Sequence, residues 1–189
     1  MAGLDDAWTR ICPPAYRGAT CRSLRANGWP DEVINALSGW ADAPTTNLVI
    51  SGPSWSGKTW AVAALLHKAL ADHWDEVRPD GPWAIDPGAW TNATEVFAAN
   101  REDHKALTQP RWWVLDGLGI GRESLSDNQA TALYAVVNSR YEHRRPTLAT
   151  TTLAPKALWG YLGTALAARL MRGAITIVVP QGKREVVAS

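Results

Sequence analysis

Eight consecutive residues, Gly52-Pro53-Ser54-Trp55-Ser56-Gly57-Lys58-Thr59, match the pattern G-x-x-x-x-G-K-[ST] at every fixed position. Average residue frequencies produce that pattern by chance in a chain of this length on the order of once in a hundred. Its chemistry is specific. The glycines let main-chain N–H groups curl around phosphate oxygens, Lys58 brings a point charge to the β and γ phosphates, and Thr59 offers a hydroxyl to Mg²⁺. The nucleotide-binding set is therefore Gly52, Pro53, Ser54, Trp55, Ser56, Gly57, Lys58 and Thr59, with Trp60 following in the helix. Trp55 is bulky for such a loop. It either covers the nucleotide or packs on a neighbour, and packing is the expectation.

The flanking pattern supports the loop. Asn47 to Ser51 is a short apolar run that suits a buried strand, and from Lys58 the apolar residues Val62, Leu65, Leu66, Ala69 and Leu70 fall on one helical face to about Trp74. Further strands are expected at 83–85, 111–116, 147–152 and 174–179, and helices at 92–100, from the Ser126-Asp127-Asn128-Gln129 capping box to Tyr141, and at 165–171. The alternation implies an α/β fold, a mostly parallel sheet covered on both faces. Before it, residues 1–45 carry the breakers Pro13, Pro14, Gly18, Pro30 and Pro44, with one short helix expected from Pro30-Asp31 through Val33, Ile34, Leu37 and Trp40.

Composition narrows the classes. Lys+Arg 19 against Asp+Glu 18 gives a net charge of +1, so any contact with nucleic acid must be a local patch. Cys12 and Cys21 stand without a second pair or a His cluster to complete a metal site, and are read as reduced thiols. No run approaches the roughly 20 apolar residues of a membrane span, and the first residues lack a secretory layout. A cytoplasmic protein with no membrane contact is expected.

A loop of this kind needs an acidic residue at another strand end, because Mg²⁺ keeps waters and takes one or two protein ligands beside the phosphates. Asp116, closing the run Trp113-Val114-Leu115, fills that place, directly or through a water. Thr59 and Asp116 are thus the metal candidates.

The wider frame, over about Ile11 to Arg184, resembles the DnaC/IstB-type branch of AAA+ ATPases, the helicase loaders and transposition helper ATPases. Ile11-Cys12-Pro13-Pro14-Ala15-Tyr16-Arg17-Gly18 is similar to that family's lead-in element, and Val114-Leu115-Asp116-Gly117-Leu118-Gly119 to its acidic strand end. Arg145-Pro146-Thr147 leading to Thr150-Thr151-Thr152-Leu153 resembles the sensor-1 strand. Ala167 to Gly173 resembles the arginine-finger helix with Arg169 at the finger, and Gln181 to Arg184 the closing turn with Arg184 at sensor 2.

The resemblance implies a three-layer P-loop NTPase with a central five-stranded parallel sheet, built as a lead-in over 1–45 and an ATP-binding domain over 46–189. It implies ATP and Mg²⁺ as ligands and Asp116, Arg169, Arg184 and Thr152 as the catalytic set. A replicative helicase is the implied partner of a DnaC-like loader that also assembles with itself; a transposase is the partner in the IstB-like alternative. A hydrolysis-dead regulatory subunit is a further alternative. A small-molecule phosphotransferase would need a mobile Arg-rich lid, for which the chain offers no long insertion.

Three departures qualify the resemblance. Gly117 stands where the family carries the carboxylate that polarises the attacking water, so weak or partner-dependent hydrolysis is expected. Thr152 stands where sensor 1 usually has Asn. Only about ten residues precede Ile11, where family loaders usually carry a partner-binding domain. Glu123 is either a displaced base or a solvated loop residue, the latter being the expectation. Arg140, His143, Arg144 and Arg145 form a basic cluster that either contacts the phosphates of single-stranded DNA or caps a solvated helix end. Trp112 and Trp113 are expected in the core rather than as stacking platforms.

Overall fold

A computed structural model of the chain describes residues 2–77, 90–121 and 124–179. Five strands, β1 (Leu48–Ser51), β2 (Trp90–Asn92), β3 (Trp113–Leu118), β4 (Thr147–Thr151) and β5 (Ile175–Val178), form one sheet in the order β2-β3-β4-β1-β5. Every pairing is parallel.

Side chains alternate along a strand, and here the alternation divides the core in two. Leu48, Ile50, Val114, Leu148 and Ile177 face one layer of helices; Val49, Trp113, Leu115 and Ala149 face the other. The first layer holds α1 (Ala2–Ile11), α2 (Cys21–Ala26), α3 (Asp31–Asp42) and α4 (Lys58–Asp72). The short α5 (Trp74–Val77) follows α4. The second layer holds α6 (Ala93–Ala98), α7 (Arg101–Leu107), α8 (Asp127–Glu142) and α9 (Pro155–Met171). Trp112 and Trp113 are both buried in this core.

The lead-in contains more structure than its prolines imply. Besides α3 it folds α1, a 3-10 turn at Pro14–Tyr16 and α2, whose Thr20 and Ser23 make a reciprocal cap. Trp8, Ile11, Cys12, Leu24 and Trp29 share the core of α4. Cys12 and Cys21 are free thiols, and burial pushes the Cys12 thiol up to about 12, which keeps it protonated and inert. Tyr16 stacks on Trp90 at 6.1 Å between ring centroids and meets Trp60 edge-on.

Two other elements differ from the sequence reading, and a third is not among the described residues. The helix expected over 92–100 is two, because Asn92 and Asn100 each cap a new N-terminus, with Glu95 and Asp103 returning the bond. The helix expected from 165 begins at Pro155, and Gly163, at φ 72°, breaks it into two segments. The strand expected at 83–85 lies outside the described residues.

Asn47 ties the sheet to α9. Its side-chain amide donates to the carbonyls of Arg169 and Leu170 at 2.9 and 3.0 Å, and its Oδ1 accepts from the Thr147 N–H at 2.8 Å.

The basic cluster requires a correction. Arg140 is 1% exposed and stands inside the second layer. Its five N–H groups donate to the carbonyls of Leu107 (3.1 Å), Pro110 (2.9 Å), Arg111 (3.2 Å) and Pro146 (2.6 Å) and to Thr147 Oγ1 (3.2 Å). The guanidinium lies 5.7 Å from the Trp113 ring centroid. Burial, with Arg145 nearby, pushes it down to about 9, so it remains charged at neutral pH. It knits the α7–β3 turn to the start of β4 and cannot reach DNA. His143 and Arg144 are exposed, whereas Arg145 is half-buried and donates to the Thr108 carbonyl.

Arg140→Met removes every donor to these acceptors, and leaving buried acceptors unsatisfied is costly. Denaturant unfolding of this variant is expected to show a loss of about 3 kcal/mol or more. Arg140→Lys, with three donors in place of a planar fork, is expected to recover only part of it.

Candidate nucleotide-binding site

The loop leaves the carboxyl end of β1 between its two neighbouring strands. Gly52 N–H donates to the Thr151 carbonyl at 3.1 Å, and Val179 N–H to the Ser51 carbonyl at 2.7 Å. A Cβ on Gly52 would lie 2.8 Å from the Val179 carbonyl oxygen, so the close approach of the chain after β5 requires glycine there. The loop then turns into α4, whose N-cap is Gly57 and whose first turn receives no side-chain cap. Free amides at the start of a 15-residue helix, with the positive end of its dipole, form an anion site.

Lys58 is buried, and its Nζ donates to the Pro53 carbonyl at 2.6 Å and to Ser56 Oγ at 3.4 Å. Burial lowers its pKa, and the negative charge of Asp116 partly offsets that. The ammonium is thus held inside the curl of the loop by neutral oxygens. Phosphate oxygens are stronger acceptors for it.

Asp116 lies near the carboxyl end of β3, and its Oδ1 accepts from Thr59 Oγ1 at 3.1 Å and from Thr150 Oγ1. Thr150 Oγ1 in turn accepts from the Gly117 N–H at 2.9 Å. That second bond decides the first: with its lone pair facing an N–H, the Thr150 hydroxyl must send its proton to the carboxylate. A carboxylate on β3 beside a hydroxyl on α4 suits Mg²⁺, and the ammonium on α4 suits the polyphosphate it would accompany. Thr59 and Asp116 would hold the metal, and Lys58 and the loop amides the phosphates.

Thr150, on β4, was missed by the sequence reading, which placed the strand's polar contact at Thr152. Its signal was the register: Thr150 pairs with Ile50, one residue before the strand end, and β3 and β4 shift register between Leu115 and Leu118. Thr152 lies just past β4 and is half-buried. Trp60 turns its indole to the lead-in, donating to Ser23 Oγ at 2.9 Å. Arg169, near the end of α9, donates to Asn138 Oδ1 and to the Ala165 carbonyl, and lies 4.8 Å and 5.9 Å from the ring centroids of Tyr134 and Tyr141. Arg184 and Glu123 fall outside the described residues.

A cleft of about 220 Å³ opens beside Asp116 and Gly117, walled by Asn92, Thr94, Phe97, Ile120 and Tyr161. The missing carboxylate at 117 has a backbone cause as well as a sequence one. Gly117 sits at φ 79°, and a Cβ there would lie 3.0 Å from Ile120 Cδ1. A side chain at 117 would therefore carry the cost of left-handed backbone and crowd the end of the Ile120 side chain.

Trp55 also overturns an expectation. It is 96% exposed, so its indole does not pack on its own chain, and its φ is 63°. Left-handed backbone costs an L-residue roughly 1–2 kcal/mol.

Compared by sequence, the chain matches no family model and no curated protein. Compared by structure, it superposes on the DnaC helicase loader with a TM-score of 0.70 and 16% identity, covering 88% of this chain and 99% of that one. The chain has the fold of the DnaC loader. DnaI gives 0.69 with 15% identity over 89% of this chain and 95% of that one. AMPPCP-bound DnaA from Aquifex aeolicus gives 0.63 with 14% identity, over 88% of this chain and 50% of that chain. The five-stranded parallel sheet with its three layers is the P-loop NTPase fold that these structures share. Among the described residues no helix is long and apolar enough to cross a membrane.

Two of the left-handed positions, 55 and 117, give opposite outcomes. Trp55→Gly is expected to raise stability by about 1 kcal/mol, whereas Gly117→Glu is expected to lower it by about 1–2 kcal/mol. Thermal unfolding of the two variants measures both.

Proposed function

We propose that this chain is an ATP-binding accessory of DNA replication, a helicase-loader-type ATPase that uses ATP as an assembly switch. The observation that carries this is the pairing of a converging phosphate site with a missing carboxylate at one position: Lys58, Thr59 and Asp116 come together, while Gly117, the residue after Asp116, presents no side chain. The fold shared with DnaC and DnaI supports a replicative helicase as partner, and the likeness to DnaA bound to AMPPCP supports an adenine nucleotide.

The residues divide the work. Uncapped α4 amides and Lys58 bind the phosphates; Thr59 and Asp116 hold the metal, with Thr150 fixing the carboxylate's orientation. When bound, Mg²⁺ neutralises charge on the β and γ phosphates. A positioned base contributes roughly 10² to 10⁴ in rate and an arginine finger roughly 10³ to 10⁵. Gly117 supplies no base, and in a lone subunit Arg169 is held over Tyr134 on the α8–α9 face. Arg169 acts across a subunit boundary, on the nucleotide of a neighbour, and Arg184 senses the γ phosphate in its own chain. Of the basic cluster, Arg144 is the exposed cation available to a DNA strand, with the exposed imidazole of His143 beside it.

Calorimetry with Mg²⁺ and ATP tests the assignment. Lys58→Ala is expected to abolish binding. Arg169→Ala is expected to keep binding and lose concentration-dependent hydrolysis. Equal loss of binding in both variants would overturn the division of roles.

A further inference from the structure

The chain that leaves β3 folds back on itself beside Asp116. Gly117 and Gly119 stand at φ 79° and 77°, and Gly119 passes so close beneath Leu153 that a Cβ there would lie 2.8 Å from Leu153 Cγ. This return lays Ile120 over Gly117. Ile120 Cδ1 and Cγ1 are 3.0 and 3.8 Å from the point that a Cβ on Gly117 would occupy, so the space for a side chain at 117 is filled from three residues away. A single exposed isoleucine is ordinary, and Ile120 is 63% exposed. Its position is what matters, because it walls the cleft that opens beside Asp116.

Among the described residues that wall this cleft, Asp116 alone carries a carboxylate, and its Oδ1 already takes the hydroxyl protons of Thr59 and Thr150. Asn92 Oδ1 accepts from Thr94 Oγ1 at 2.7 Å and from the Glu95 N–H at 2.9 Å, which commits both side chains to the start of α6. In hydrolysis a water oxygen bonds to the γ phosphorus while the bond from that phosphorus to the β–γ bridging oxygen breaks. ADP leaves with the electron pair, and the water gives up a proton. An alkyl group can neither take that proton nor hold the water by a hydrogen bond.

We propose that Ile120 sets the slow turnover of the bound nucleotide: its side chain fills the place of a general base and so preserves the ATP-bound form. This rests on the proposed reading of the loop as an ATP site, and names the residue that keeps ATP intact there. Glutamate runs from Cβ through Cγ to Cδ as isoleucine runs from Cβ through Cγ1 to Cδ1. A carboxyl carbon introduced at position 120 therefore falls where Cδ1 now lies, and it leaves the left-handed backbone at 117 untouched.

Single-turnover hydrolysis of ATP with Mg²⁺, read beside calorimetric affinity for AMPPCP, tests this in the full chain. Ile120→Val is expected to stay as slow as the unaltered chain. Ile120→Glu is expected to raise the rate about tenfold or more with affinity for AMPPCP kept, whereas Ile120→Gln, equally long and polar but without a basic group, is expected to stay slow. Should the added negative charge weaken nucleotide binding, Ile120→His, which offers a neutral base, is expected to show the same acceleration. An unchanged rate in the Glu or His variant that still binds AMPPCP overturns the inference, and so does equal acceleration by Ile120→Gln. Both results leave the ATP site standing. If the unaltered chain does not bind AMPPCP, the ATP site itself falls, and the role of Ile120 with it.

Discussion

The hydroxyl of Thr150 is the hinge on which the site turns. It accepts from Gly117 N–H and donates to Asp116, so one side chain on β4 fixes both the path of β3 and the direction of its carboxylate. Thr59 reaches the same oxygen from α4. Three elements distant in sequence are thereby registered on a single atom, Asp116 Oδ1, at the carboxyl edge of the sheet. Open parallel sheets place their ligands at that edge because the loops there diverge and leave helix N-termini facing the gap. The same arrangement accounts for Gly117. The residue after the carboxylate turns left-handed while its amide donates to Thr150, and that backbone favours glycine over the acid a hydrolase would carry there.

Much of this was legible in the chain itself. The loop motif, the apolar runs around it and the Ser126 capping box each depend on neighbours within a few residues, and the corresponding elements formed where local chemistry placed them. Asp116 was legible for the same reason, as the one acid ending a buried run. What was not legible depends on distant partners. Pro13 and Pro14 read as breakers, yet the lead-in folds because Trp8, Ile11 and Leu24 find the flank of α4. Asn92 and Asn100 were ordinary polar residues until their capping bonds divided one helix into two.

Arg140 shows the sharpest limit. Four basic residues in a row of six positions read as a surface patch, and charge alone cannot tell a solvated arginine from one whose donors are all taken. Only the fold brings the carbonyls of Leu107, Pro110, Arg111 and Pro146 together, and only a guanidinium has enough N–H groups to meet them with Thr147. Trp55 is the converse. An aromatic residue in a loop reads as buried, and here the backbone turns it outward.

Asn47 joins these surfaces mechanically. Its amide grips the last carbonyls of α9 while its oxygen holds the start of β4, and the next residue begins the strand that feeds the phosphate loop. Sliding α9 along the sheet would break both bonds to its carbonyls together. The helix end bearing Arg169 is therefore tethered to the residue that opens β1, so the two have one relative position that satisfies both carbonyls.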